Sequence, residues 1–248
     1  MKDVRAKKHL GQHFLNDEKI ALNITNLLSN ETQNVVEIGP GMGVLTQFLV
    51  KKDFTTEVVE IDTESVFYLR LNYPQLADKI TEGDFLQLNL KEKYPYHFSL
   101  IGNFPYNISS QILFKAFENR DQIPEVIGMF QKEVADRIIA KINTSNYGRL
   151  SILSNWKLDI KKIMNISRNS FFPKPKIESS LLIFSPKNKF YKITNPKNLE
   201  MITRVFFNQR RKMIKKPFKQ IFEDPDEIAN KLSINLNLRP QNLSPDMY

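Results

Sequence analysis

The chain of 248 residues contains no cysteine. That excludes a disulfide framework and a thiolate metal site, and it fits a reducing cytoplasmic compartment. Histidine is nearly as scarce. His9, His13 and His97 lack the close pairing of a ligand set, so no metal is expected. No stretch approaches the ~18 apolar residues of a membrane span, and no membrane partner of that kind is expected. The N-terminus is Lys-rich but has no apolar core after it, and motif-like sequence begins by about His9. Neither a secretory signal nor a transit peptide is therefore expected. Acidic residues are outnumbered, 27 against 36 Lys and Arg, for a net charge of +9. The excess points to a polyanionic partner, nucleic acid ahead of an anionic membrane. A Lys-, Asn- and Ile-rich composition also follows genome bias, so charge alone leaves the partner open.

With 41% hydrophobic and 25% charged residues, the chain suits one α/β domain of ordinary size and a small appendage. Strand-like runs end in loops carrying Gly, Asp or Asn, and helical spacings separate them. Val35–Ile38 breaks into Gly39-Pro40-Gly41-Met42-Gly43, followed by a helical pattern over Val44–Lys51. Glu57–Ile61 is a second strand, with a helix over Thr63–Asn72. Lys79–Thr81 leads to Gly83-Asp84, and Phe98–Ile101 leads to Gly102-Asn103-Phe104-Pro105-Tyr106. A helix over Ser110–Phe117 and a strand over Val126–Phe130 follow. This alternation predicts right-handed βαβ units and a parallel sheet covered on both faces. Ile160–Ile166 and Ser180–Phe184 lack a convincing helix between them and read as an antiparallel pair at the sheet edge. Composition shifts at Pro186-Lys187-Asn188-Lys189, and the patterns beyond it are helical. The expected organisation is a sheet domain over 1–186 and a small helical domain over 187–248.

Ligands of open α/β sheets bind beyond the carboxyl ends of the strands, where all these loops lie. Gly39, Gly41 and Gly43 free the backbone to turn sharply and approach a ligand. Glu60 ends the second strand and is placed to accept hydrogen bonds from ribose hydroxyls; Asp84 could face an adenine amino group. An NAD-binding Rossmann site competes for the same pattern. The spacing is G-x-G-x-G, without the third glycine that lets a helix carry a pyrophosphate, and Asp84 suits a phosphate-free cofactor such as S-adenosylmethionine better.

Asn103-Phe104-Pro105-Tyr106 is the more specific signal. Alone, such a tetrapeptide is an ordinary turn with a buried Tyr; after the fourth strand of this sheet it has a chemical reading. The lone pair of adenine N6 is delocalised into the ring, so an acceptor pair helps by holding the amino group as nitrogen becomes tetrahedral. The Asn103 side-chain oxygen and a backbone carbonyl, that of Phe104, are suitable acceptors. Pro105 stiffens the turn, and Tyr106 offers a ring to the purine. The reaction is an in-line displacement governed by positioning and electrostatics, with no strong general base. At this point DNA and RNA are both open as substrate.

Six ordered blocks extend the pattern: His9-Leu10-Gly11-Gln12-His13-Phe14-Leu15; Val36-Glu37-Ile38-Gly39-Pro40-Gly41; Gln131-Lys132-Glu133-Val134; Tyr147-Gly148-Arg149-Leu150-Ser151; Phe171-Phe172-Pro173-Lys174-Pro175-Lys176-Ile177-Glu178-Ser179; and Phe207-Asn208-Gln209-Arg210-Arg211-Lys212. With them the chain resembles the bacterial 16S rRNA adenine-N6,N6 dimethyltransferase family. The resemblance implies a Rossmann-like class I methyltransferase with a mostly parallel seven-stranded sheet and a small C-terminal all-α domain. It implies S-adenosylmethionine contacts at His13, Leu15, Gly39, Gly41, Glu60, Asp84 and Asn103, that of His13 through its backbone. Phe171 is expected to stack on the target adenine opposite Tyr106, its alternative being a core Phe. The implied substrate is two adjacent adenosines in the last hairpin loop of small-subunit rRNA. The implied partner is an assembling 30S subunit, met by a monomer in the cytoplasm. From Thr203 to Lys219 seven basic residues occur without an acidic one, and Arg210, Arg211 and Lys212 are expected to contact phosphates. Members of the family generally continue past the region of Leu243-Ser244 into another helix, so a shortened small domain is expected here.

Three alternatives accompany this reading. An antibiotic-resistance methyltransferase acting on large-subunit rRNA shares the core motifs. A non-catalytic assembly or transcription factor on the same fold has no need of the acceptor geometry at Asn103. A DNA adenine methyltransferase typically carries Pro where Phe104 stands.

Overall fold

The computed structural model describes residues 4–187 and 193–248. The strands are β1 (Phe14–Leu15), β2 (Asn34–Ile38), β3 (Thr55–Glu60), β4 (Ile80–Glu82), β5 (Ser99–Gly102), β6 (Glu125–Gln131), β7 (Leu158–Ile166), β8 (Phe171–Phe172) and β9 (Ser179–Pro186). The α-helices are α1 (Glu18–Thr25), α2 (Thr46–Leu49), α3 (Thr63–Asn72), α4 (Leu90–Lys93), α5 (Ser109–Glu118), α6 (Lys132–Ile138), α7 (Arg149–Lys157), α8 (Pro196–Asn208), α9 (Lys215–Ile221) and α10 (Pro225–Lys231).

Seven strands form one sheet in the order β4-β3-β2-β5-β6-β9-β7. Pairing is parallel from β4 through β6 and antiparallel between β6 and β9. This is the mostly parallel seven-stranded α/β sheet expected. The central strands are apolar runs because both of their faces are covered. Val35, Ile101, Ile127, Met129 and Leu181 pack with Ala21 and Ile24 of α1 and with Leu45 and Leu49. Asp17 starts α1 by accepting the Lys19 and Ile20 amides, and Asp62 caps α3 through the Glu64 amide.

Chain order runs outward from β2 to β3 and β4, then returns to the other side of β2 with β5. The loops after β2 and β5 therefore diverge at the topological switch point, the place where open α/β sheets take ligands. Both motif-bearing loops, 39–43 and 103–106, are these two.

The chain forms two compact units. One contains the described residues to Ala135 together with Lys161–Pro186; the other contains Asp136–Ile160 and the described residues from Lys187 onward. Residues 136–160 cluster with the helical residues after Pro186, although β7, which starts within them, pairs in the sheet. Their apolar residues explain the clustering: Tyr147 and Ile152 bury against Leu199 of α8, and the Tyr147 hydroxyl donates to the Leu243 carbonyl at 2.8 Å. Part of the compositional shift over 186–189 lies outside the described residues. Phe206, Ile214, Phe218, Ala229 and Leu243 form a further core in this second, helical unit.

A two-stranded antiparallel ribbon of β1 and β8 was not foreseen. It pairs Phe14 with Phe172 and Leu15 with Phe171. Among the described residues no helix is long and apolar enough to cross a membrane.

Candidate active site

The loop after β2 depends on glycine conformation at Gly41, whose φ is +56°. A Cβ there would also stand 2.7 Å from the Phe14 ring. The Gly41 amide donates to Glu60 Oε2 at 3.0 Å, and the Asp62 amide donates to Glu60 Oε1 at 2.9 Å. Glu60 is buried, and burial pushes its carboxyl above the ordinary range against the pull of those two amides. Each carboxylate oxygen retains a second lone pair for an outside donor. Ile61, 48% exposed, continues the wall as an apolar surface.

The loop after β5 is anchored by its second residue. Phe104 is buried and meets Phe130 edge-on, with ring centroids 5.5 Å apart. Gly102 and Gly128 face each other across β5 and β6, and Cβ atoms at either would run into the Phe104 ring. The two glycines thus open a socket in the sheet for this ring, which identifies Phe104 as the loop's anchor. Gly128→Ala is expected to lower stability by about 1–3 kcal/mol, the usual cost of overpacking. Chemical denaturation checks the value, and an unchanged midpoint would remove the socket.

Asn103 is held by the N-terminal segment: its Nδ2 donates to the His13 carbonyl at 2.7 Å. A carbonyl can only accept, so the nitrogen must face His13 and the Asn103 side-chain oxygen faces away from it. His13 therefore meets Asn103 through its backbone. Its ring stacks on Tyr106, centroids 5.3 Å apart, and its Nδ1 lies 2.6 Å from the Pro173 carbonyl. The Tyr106 hydroxyl is hydrogen-bonded to Ser179 Oγ, and burial raises its pKa. Among the described residues no backbone N–H is spent on the Phe104 carbonyl, whereas that of Pro105 accepts from Ile108.

One cleft joins these loops, enclosing about 420 Å³ between atoms with its open mouth included. His13, Gly39, Gly41, Glu60, Asn103, Phe104, Pro105 and Tyr106 line it. Gly11, Gln12, Phe14 and Ile61 line it too and were missed as site residues. Ile61 had a visible signal, an apolar residue directly after the acid that ends a strand. Gln12 joins Lys7 on Asp62, its Nε2 lying 3.2 Å from Oδ2. Burial alone would raise the Asp62 carboxyl, but the Lys7, Gln12 and Glu64 donors hold it below its ordinary value.

Three expected site residues are not among those lining this cleft. Asp84 caps a short 3-10 turn, accepting the Leu86 amide at 2.9 Å, and does not line the cleft. Leu15 and Phe171 are each 3% exposed and pack in the sheet core. The expectation that Phe171 faces the cleft opposite Tyr106 is thus corrected: ribbon alternation turns Leu15 and Phe171 inward and their neighbours Phe14 and Phe172 the other way. In the helical unit, Arg211 and Lys212 are exposed, but Arg210 is a staple, donating to Gln241 Oε1 at 3.0 Å and to the Thr144 carbonyl at 2.9 Å. Among the described residues no group of three or more His, Asp or Glu side chains could hold a metal ion.

The family model of ribosomal RNA adenine dimethylases matches residues 4–248. The chain is 49% identical over 249 residues to ribosomal RNA small subunit methyltransferase A of Pelagibacter ubique (strain HTCC1062), covering 99% of this chain and 95% of that one. Among solved structures it is similar to a dimethyladenosine transferase from Plasmodium falciparum, with TM-score 0.78, 25% identity and 94% of each chain covered. The 23S rRNA methyltransferase ErmE shares the fold, with TM-score 0.69, 21% identity, and 94% of this chain and 96% of that one covered. A match of this extent, over a cleft built from the sheet's switch-point loops, places the chain in the ribosomal RNA adenine dimethylase family.

Proposed function

We propose that the protein dimethylates N6 of two adjacent adenosines in the 3′-terminal hairpin loop of 16S rRNA, with S-adenosylmethionine as methyl donor. The observation that carries this reading is the Asn103 amide. Its nitrogen is pinned by the His13 carbonyl, leaving the oxygen as an acceptor at the end of β5, beside the glycine loop.

The donor set of the cleft fits such a cofactor. Glu60 offers buried acceptor capacity for a ribose diol, Ile61 an apolar wall for a base, and Gly39 and Gly41 a backbone without Cβ atoms. When bound, S-adenosylmethionine supplies an electrophilic methyl group on an already activated leaving group. Asn103 Oδ1 and the Phe104 carbonyl accept hydrogen bonds from the adenine amino group and aim its nitrogen. Tyr106 is held at its hydroxyl by Ser179 and presents its ring to the purine. Preorganised acceptors of this kind act without reorganising during the reaction. The product proton leaves to water. Phe171 has no part in the clamp, because its ring is in the core.

The substrate assignment draws support from the whole-chain likeness to a small-subunit methyltransferase at 49% identity, against 21% for the 23S rRNA methyltransferase. The partner is then 16S rRNA in an assembling 30S subunit in the cytoplasm, bound by a monomer. Arg211 and Lys212 contribute phosphate contacts, and the helical unit serves rRNA binding. Purified protein is expected to transfer labelled methyl groups to unmethylated small subunits and yield dimethyladenosine near the rRNA 3′ end. Transfer confined to large-subunit RNA would overturn the substrate, and cofactor binding without any transfer would overturn the enzyme.

A further inference from the structure

The ribbon of β1 and β8 carries one feature the proposed chemistry leaves unused. Phe172 is 68% exposed, more than any other large apolar side chain among the described residues. A ring exposed in the folded chain contributes little to folding, and its apolar face is free to be buried by a ligand.

Its position is fixed by the core beside it. Phe172 stands opposite Phe14, and opposed residues of an antiparallel pair project to the same face. Phe14 lines the cleft, whereas Leu15 and Phe171 fill the core on the other face. The segment is tied to the cleft at both ends. The Pro173 carbonyl meets His13 Nδ1 at 2.6 Å, and Ser179 is hydrogen-bonded to the Tyr106 hydroxyl. Phe172 therefore shares a face with the cleft-lining Phe14, and the next residue of its segment, Pro173, contacts His13.

Its neighbours in sequence are mostly cationic. Arg168, Lys174 and Lys176 are all exposed in the same loop, and Glu178 is the one acid between Ser167 and Ser179. An exposed ring among cations on a polypeptide of net charge +9 has the two parts of a single-strand nucleic-acid site. One is a face on which a base stacks, and the other is charge for the backbone phosphates.

We infer that Phe172 is a stacking platform for the base next to the adenosine in the cleft, with Arg168, Lys174 and Lys176 binding the phosphates around it. This rests on the proposed RNA substrate and adds to it: one adenosine enters the cleft while its neighbour is held outside on Phe172. For a substrate of two adjacent adenosines, the platform keeps the second in reach during work on the first.

The test compares Phe172→Ala, Phe172→Leu and Phe172→Trp, which sit at an exposed position and should melt with wild type. On unmethylated small subunits, Phe172→Ala is expected to raise KM about tenfold, the usual size of a lost base–aromatic stack. Its kcat should stay within about twofold and its cofactor affinity unchanged. Phe172→Trp should restore the wild-type KM and Phe172→Leu should not. A second readout does not need activity: emission of the introduced indole should be quenched when a single-stranded RNA of the loop sequence binds, over a background set by Trp156. Wild-type KM in Phe172→Ala, full rescue by Phe172→Leu, or unquenched emission at RNA saturation would each overturn the platform. If wild type fails to methylate small subunits while the quench persists, the substrate assignment falls and the platform stands.

Discussion

Asn103→Ala is expected to lower kcat for methyl transfer by about 10²–10³-fold, the range found when one preorganised polar group is removed from a transition-state site. The size follows from what the side chain does at its two ends. Its nitrogen is fixed on the His13 carbonyl at 2.7 Å, so its oxygen is oriented before any substrate arrives. Alanine leaves the adenine amino group with one acceptor instead of two, and nitrogen samples directions away from the methyl. Cofactor affinity should fall far less, because Glu60 and the glycine loop are untouched by the change. Asn103→Asp separates orientation from acceptance: a carboxylate keeps acceptor oxygens but cannot donate to the His13 carbonyl, and two acceptors facing each other repel. It should therefore lose activity too. Single-turnover transfer with calorimetry of cofactor binding checks both variants, and an unaltered kcat in Asn103→Ala would take the residue out of the mechanism.

Most of the sheet and much of the cleft are legible in the sequence. Short apolar runs, four of them ending in Gly, Asp or Asn, located all seven strands of the main sheet, and the helix over Thr63–Asn72 came out with the same bounds. These elements announce themselves because periodicity and loop chemistry agree along several consecutive residues. The ribbon was invisible for the opposite reason: each of its strands is two residues long, too short for any period, and its stability lies in partners 156 and 158 positions away. The same brevity decided the error at Phe171. With two adjacent phenylalanines, a shift of one residue exchanges the core ring for the exposed one, and nothing local sets that parity. Arg210 and Arg211 pose a similar problem, one spent on Gln241 and Thr144 and the other exposed. The role of Phe104 needed the pairing of Gly102 with Gly128, which only the register of β5 and β6 reveals.

Glu37 is the residue whose chemistry least resembles its sequence surroundings, and Glu37→Gln is expected to gain stability over wild type as pH rises. Glu37 lies in β2, 1% exposed, and Thr46 Oγ1 of α2 donates to its Oε2 at 2.6 Å. Burial pushes its carboxyl from 4.5 up to about 8; the Thr46 hydrogen bond works against the rise and the nearby Glu60 carboxyl adds to it. In the unfolded chain the group ionises near its ordinary value, so between pH 4.5 and about 8 the folded state holds the extra proton. Stability of the wild type must fall across that window and level off above it. At roughly 1.4 kcal/mol per pH unit, the whole span is worth roughly 5 kcal/mol. Glutamine keeps an acceptor for Thr46 and cannot titrate, so the term vanishes. The melting temperatures of the two proteins should diverge in favour of Glu37→Gln by roughly 10 °C between pH 5 and pH 8. The variant should also keep its cofactor affinity, since the link it preserves, Glu37 to Thr46, ties β2 to α2 across the glycine loop. Thr46→Val cuts that link and strands the acid in a dry interior, so it should lose both stability and cofactor affinity. A melting difference that stays constant with pH would mean that Glu37 is ionised in the fold and that the glycine loop is held over a buried charge.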